Sequence, residues 1–371
     1  MGAGPAQDPL GQDHAAHPAQ DRLQRAGEHG RYLDPGRPLG GRQPDRTAPQ
    51  PLSGGGALPR LIRPAPAPTL AAMESLRRQI ASQVHSLTGA SLNQLDLDQP
   101  RGDPGLFGPA SMVWEVHADF TSMMVGGIAA LLLQMLHPLA LAGVWDHSNF
   151  RQDLIGRLRR TSLFIAGTSY GGVADAERLI DKVRSIHQQV VGQGLDGRPY
   201  AASDPALLTW VHVAEVHCFL NGYLRYCNPD LPEAEQDHYY AEVALIARRL
   251  GAQEVPDSHQ AVAAYLEAMR SQLLCDERTR EVVRLLHAAP MPSLLARPFG
   301  GLMMQASFDL LPTWASALLG ESVPAWRRPL IRAGVQRTAQ LLRWGVADNS
   351  AAQRARRRLL TTGPAEPPMR P

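Results

Sequence analysis

The stretch MMVGGIAALLLQMLHPLALAGVW, residues 123–145, is the longest apolar run in the chain, and its reading decides the fold. The polar turn DHSNF (146–150) and the basic segment RQDLIGRLRRT (151–161) follow it. A run this apolar must be buried in lipid or in protein. It has about the length of a membrane span. Yet Gln134, His137 and Pro138 interrupt it, and Gly126, Gly127 and Gly143 weaken a lone helix. Polar groups at membrane depth are costly unless partnered. The expectation is a buried core helix of a large α-bundle, bent at His137–Pro138, because proline lacks a backbone donor and clashes one turn back. A bent wall of small residues suits a flat ligand.

On either side of this run the periodicity is helical. Leu76, Ile80, Val84 and Leu87 predict one face of a first helix. Ser111, with Glu115 nearby, opens the next helical segment, and Asp175 is the expected cap of a helix carrying Leu179, Val183, Ile186 and Val190. Ser203 or Asp204 with Pro205 starts a long helix, SDPALLTWVHVAEVHCFLNGYLRYC (203–227). Another ends at Gly251, and helical patterns continue over 256–275, 277–288, 300–319 and 324–347. No clear period-two strand is visible. The fold class is all-α, a single large helical domain.

Residues 1–72 differ, with 12 prolines, 11 glycines and one aromatic residue, Tyr32. Such composition cannot offset the entropy of ordering. The stretch reads either as a disordered arm or as an N-terminal extension ahead of a true start at Met73. The expected organisation is that extension (1–72), a helical catalytic domain (73–350) and a flexible basic, Pro-rich tail (351–371). The net charge of +2 gives no reason to expect nucleic acid. Lys182 is the only lysine, so Schiff-base chemistry has a single candidate. Cys218, Cys227 and Cys275 form no CxxC pair, which fits a reducing cytoplasm, and no secretory signal opens the sequence. The run RARRRLL (354–360) reads as a solvated helix face, with lipid attachment as the competing possibility and no firm membrane association expected.

Chemistry rests mostly on histidines. His187, one turn after Arg184 in RSIH, sits beside an apolar face and is by itself either a hydrogen-bonded core residue or a ligand. His212 and His217 lie about 140° apart on a helix and cannot easily share a metal. Glu215 precedes His217 by two residues, the wrong spacing for a di-iron Glu-x-x-His pair. No HExxH, G-x-S-x-G or phosphate loop is present. Arg157, Arg159 and Arg160 follow the apolar run directly. Part of that turn must be buried, and a buried arginine needs an anionic partner such as a cofactor carboxylate.

The succession GLFGPAS (105–111), W-x-VH (114–117), GGIAALLLQMLHPLALAGV (126–144), DHS (146–148), GRLRRT (156–161), VRSIH (183–187), Y-A-x-x-DP (200–205) and WVH (210–212) resembles the MpaB-type oxygenases, whose catalytic domain is shared with the bacterial rubber oxygenase, the latex clearing protein. The likeness runs from about Gly105 to Arg225 and more loosely to about residue 320. It is nearer to uncharacterised bacterial members than to the rubber enzyme. The resemblance implies a globin-like bundle around haem b, with iron held by the histidine of an Arg-x-x-His pattern, here Arg184 and His187. It further implies an Arg-x-x-x-Thr pair near the haem, matched by Arg157 and Thr161, with Arg159 and His137 on the cofactor-facing wall. Dioxygen and a small hydrophobic substrate would be its partners.

Two departures matter. Arg160 stands where the rubber-oxygenase pattern has a lysine able to reach the iron, and arginine stays protonated and ligates poorly. No counterpart of that enzyme's proposed glutamate base is visible in the apolar run, so polyisoprene cleavage is not expected. The competing expectation is a non-catalytic helical protein binding a hydrophobic ligand or partner in the same cavity.

Overall fold

The computed structural model describes residues 70–87, 95–289, 297–346 and 350–360. The expectations for 1–69 and for the tail from Gly363 lie outside the described residues. The apolar run is two helices, α3 (Phe120–Gln134) and α4 (Pro138–His147), meeting at 103°. The expected bend is a full break for a local reason. Pro138 takes the first helical position, and His137 becomes a helix cap whose Nδ1 accepts from the Ala140 amide at 3.4 Å. No single described helix is long and apolar enough to cross a membrane.

α3 is capped by Asp119, which accepts from the Ser122 amide at 2.8 Å. Its closest partner is α7 (Pro205–Tyr226), capped by Asp204 with Pro205 at the first position. The two backbones touch where glycine replaces a side chain: a Cβ on Gly126 would stand 2.8 Å from the Cys218 carbonyl, and one on Gly222 2.7 Å from that of Ser122. Side chains satisfy the free carbonyls at the end of α3. Trp210 Nε1 donates to Gln134 O at 3.2 Å, and Thr279 Oγ1 donates to Met135 O at 3.3 Å. Val125, Ala129, Leu133, Trp210, Val213 and Ala214, all fully buried, form the centre of the core.

Around this pair lie α1 (Leu70–Leu87), the short α2 (Met112–Val116, capped by Ser111), α5 (Leu154–Tyr170) and α6 (Val173–Gln189). Then come α8 (Glu233–Leu250), closed by Gly251 at φ +111°, α9 (His259–Met269), α10 (Glu277–His287), α11 (Arg297–Leu310), α12 (Thr313–Leu318), α13 (Arg328–Val346) and α14 (Ala351–Leu359). The described elements belong to one compact unit and are helical apart from a small antiparallel hairpin, β1 (Val191–Gln193) with β2 (Pro199–Ala201). Its three-residue strands are too short to show a period, although Asp196–Gly197, with Gly197 at φ +80°, marks the turn.

Other local expectations change. The cap of α6 is Gly172, and Asp175 lies inside the first turn, paired with Arg178 at 2.7 Å. On α1, Leu76 is exposed, while Ile80 is half-buried and Val84 is buried. Pro312 divides the 300–319 pattern into α11 and α12. The largest difference is at 351–359, expected as tail and found as α14. Arg358 is fully buried there and donates to the carbonyls of Asp103 (2.7 Å), Leu97 (3.1 Å), Tyr170 (2.7 Å) and Gly171 (3.5 Å). The last two close α5, so the guanidinium sits at the negative end of that helix.

Candidate functional site

A cavity of about 840 Å³ lies between α3, α5, the end of α10, the start of α11 and α14. Met123, Met124, Gly127 and Ile128 of α3 and Ile155, Leu158 and Ala166 of α5 make its apolar sides. A second pocket, about 90 Å³, adjoins it between α5, α6, α7 and α8. The two share only His117, Ile165 and Phe219 as a partition. His117 is held there by both ring nitrogens, Nδ1 with Ser169 Oγ at 2.8 Å and Nε2 with Tyr239 OH at 2.9 Å. Burial pushes its pKa down to about 3, so it stays neutral and has no nitrogen left for a ligand.

The small pocket concentrates the chemistry. His187, in the last turn of α6, projects into it with Nδ1 buried and without a hydrogen-bond partner. Burial, and then the Arg157 charge, hold this imidazole below the usual histidine pKa, which keeps it in the neutral, ligating form. α5 and α6 pack as an antiparallel pair, which brings Arg157 near the start of one to His187 near the end of the other. Arg157, Thr161, Phe164 and Thr168 follow each other at helical spacing on α5, and Phe164 and Thr168 line the small pocket. Arg157 is half-buried and donates to Ser148 Oγ at 3.0 Å.

Two further residues face the same pocket. His212 leaves Nε2 buried and unpartnered, and burial lowers its pKa to about 4. Glu215, one turn later on α7, is pushed up to about 7 by burial, against a smaller opposing hydrogen bond from Gln134. Neither residue forms a metal-ligand pair along its own helix, so sequence spacing does not single them out. The usable signal was burial: Glu215 is the only carboxylate between Asp204 and Asp230, in an otherwise apolar run.

The remaining sequence candidates are placed differently. Thr161 borders the large cavity, its hydroxyl donating to the Arg157 carbonyl at 3.3 Å. Arg184 is exposed, paired with Asp181 at 2.8 Å and donating to the Arg249 carbonyl at 3.5 Å. Arg160 is exposed beside Asp153 (3.5 Å) and Asn149 (3.4 Å), and Arg159 is half-buried. His137 is buried against Trp210 as the cap of α4, with its pKa lowered to about 4 chiefly by burial, and it borders neither cavity.

His187, His212 and Glu215 together are the donor types of a two-histidine, one-carboxylate iron site. Among the described residues, however, no three His, Cys, Asp or Glu side chains converge closely enough to hold an ion. A single histidine donor suits a metal that arrives inside a macrocycle.

No curated protein and no solved structure matches the chain. Residues 114–344, more than half of it, match the family described as ER-bound oxygenase mpaB/B′/rubber oxygenase, catalytic domain. That span opens at Trp114, closes near the end of α13 and includes every residue of the small pocket except Phe107 and Val113. The chain belongs to this oxygenase family.

Proposed function

We propose that the protein is a haem b-dependent oxygenase acting on a hydrophobic small molecule, with dioxygen as co-substrate. The observation that carries the reading is His187, half-buried, with its Nδ1 buried and without a hydrogen-bond partner, in a pocket that adjoins a large apolar cavity. The donor chemistry fits: neutral imidazole ligates iron, and the nearby half-buried Arg157 suits a carboxylate of the macrocycle. The large cavity falls within the roughly 300–1,000 Å³ typical of ligand sites. The pocket at His187 holds only about three waters, taking ~30 Å³ each. Accommodating a macrocycle there requires Ile165 and Phe219 to give way so that the two volumes join.

Bound haem would supply the activation of dioxygen. The protein's part is positioning and proton control. His187 would hold the iron, and Arg157 would balance negative charge at the cofactor's edge. The methionine, isoleucine and phenylalanine walls exclude water from an apolar substrate. Glu215 holds its proton up to about neutral pH, so it can give or take one inside the pocket. Arg160, paired at the surface, takes no part at the iron. The three thiols Cys218, Cys227 and Cys275 are free, which supports placing this reaction in a reducing cytoplasm.

An absorption spectrum of the full chain, expressed with adequate haem, tests the reading. A Soret band is expected, lost in His187→Ala and kept in Arg184→Ala. A folded, colourless protein overturns it. Iron without a Soret band would favour the His187, His212 and Glu215 donor set, and a colourless protein that takes up apolar dyes would favour non-catalytic binding of a hydrophobic ligand.

A further inference from the structure

The outward side of α13 does not look like the surface of a helix facing water. Its inner side is ordinary: Ile331, Val335 and Ala339 are buried against the bundle. Its outer side carries Leu330 (66 % exposed) and Leu341 (50 %), with Arg337 on the same stripe, and Trp326 (70 %) one turn ahead of Leu330. Single exposed apolar residues need no explanation, but two leucines on one side of a helix with a tryptophan in the turn that leads into it do. α1, which packs on α13, carries a further exposed apolar residue, Leu76 (47 %).

Charge says what covers this stripe. Between Ser322 and Val346 there are five arginines and no acidic residue. Three are committed within the fold. Arg328 and Arg332 reach the buried Asp309 at 3.4 and 2.8 Å, and Arg343 pairs with Asp119 at 2.6 Å. Arg327 and Arg337 make no ion pair among the described residues, and Arg327 lies 5.5 Å over the Trp326 ring. A tryptophan with arginines beside a short apolar stripe is the composition of an interfacial helix, its rings at headgroup depth and its cations on anionic lipid. The stripe is narrow for a stable protein interface, which needs roughly 800 Å² per partner. By contrast, RARRRLL has little to offer a membrane: Arg358 is buried, and Arg354 and Arg357 bind Asp98 at 2.7 and 3.2 Å.

We propose that Trp326, Leu330 and Leu341, flanked by Arg327 and Arg337, dock the protein peripherally on an anionic lipid membrane. α13 ends at Val346, which lines the large cavity from the helix's inner, buried side. This surface is independent of the haem reading.

The test is flotation of the full-length protein with vesicles of phosphatidylcholine alone and of phosphatidylcholine with phosphatidylserine. Binding to the anionic vesicles, weakened by salt, is expected. Trp326→Ser with Leu330→Ser should lower the partition coefficient roughly tenfold or more. Arg327→Gln with Arg337→Gln should lower binding to the anionic vesicles by roughly tenfold and leave neutral-vesicle binding unchanged. All four positions are exposed, so wild-type thermal midpoints are expected and verify the fold. The proposal is overturned if the wild type does not float with either vesicle at low salt, or if the serine variant floats like the wild type. It is also overturned if light scattering finds a dimer that the serine variant dissociates, which would assign the stripe to a second copy.

Discussion

Replacing Arg358 by methionine tests the least anticipated part of the fold. The side chain is fully buried and closes four backbone carbonyls, three of them at 2.7–3.1 Å. Methionine keeps much of the length and removes every donor. Each buried carbonyl left without a partner costs about 1–3 kcal/mol, while relief of arginine's own desolvation returns part of that. The net loss is about 3–5 kcal/mol. What then holds α14 is the burial of two small side chains, Ala352 and Ala355, the Gly102 amide donating to the residue-358 carbonyl at 2.8 Å, and the bridges of Arg354 to Asp96 and Asp98 and of Arg357 to Asp98, worth roughly 0–1 kcal/mol each. A helix of nine residues is marginal without packing. α14 should therefore detach first, uncovering the cavity wall made by Ala351 and Arg354. Limited proteolysis should cut within 351–360 in the variant and spare the wild type, and the thermal midpoint should fall by roughly 10 °C. Arg358→Lys should lie between the two, because one ammonium cannot reach all four oxygens. An Arg358→Met protein with the wild-type midpoint and cleavage pattern would refute the assignment of this arginine as the anchor of α14.

Three other outcomes follow from the packing. Gly126→Ala should destabilise by about 1–3 kcal/mol despite better helix propensity, because its Cβ meets the α7 backbone, whereas Gly301→Ala, with nothing within 4 Å, should be neutral or stabilise by about 0.5–1 kcal/mol; urea denaturation of the pair decides. Glu215 has a folded pKa of about 7 against 4.5 for the free group, so its contribution to stability is intact below pH 4.5 and lost as pH rises through about 7. Glu215→Gln should therefore gain on the wild type across that window, by on the order of 3 kcal/mol, read as the difference in urea midpoints at the two ends. His137→Ala should cost about 1–2 kcal/mol by calorimetry, through the lost cap and the contact with Trp210, and leave any Soret band intact.

What the sequence made legible was whatever local chemistry controls. Ser111, Asp204 and Gly251 end their helices as their side chains and φ preferences dictate. His137–Pro138 announced a disturbance in the apolar run, but whether it bends or breaks depends on the imidazole turning back to accept from Ala140. Tertiary structure decided the rest. A basic C-terminal run looks solvated until Asp96, Asp98 and the carbonyl end of α5 are brought to it from elsewhere in the chain. His212 and Glu215 acquire meaning only when α5, α6 and α8 close over them. His187 rose from an ambiguous residue to a candidate ligand through a family pattern, and its orphaned nitrogen is a fact of packing that no spacing could reveal.

The glycine contact between α3 and α7 bears on how a ligand gets in. Two helices whose backbones touch at Gly126 and Gly222 have no side-chain layer on which to slide, so they move as one body or not at all. Met123, Met124, Gly127 and Ile128 sit on that body, and they make one side of the large cavity a fixed template. The opposite side is assembled from the end of α10, the start of α11 and α14, held by side chains that can let go. Substitutions on the template should alter which molecules bind, and substitutions on the opposite side should alter how fast they arrive and leave.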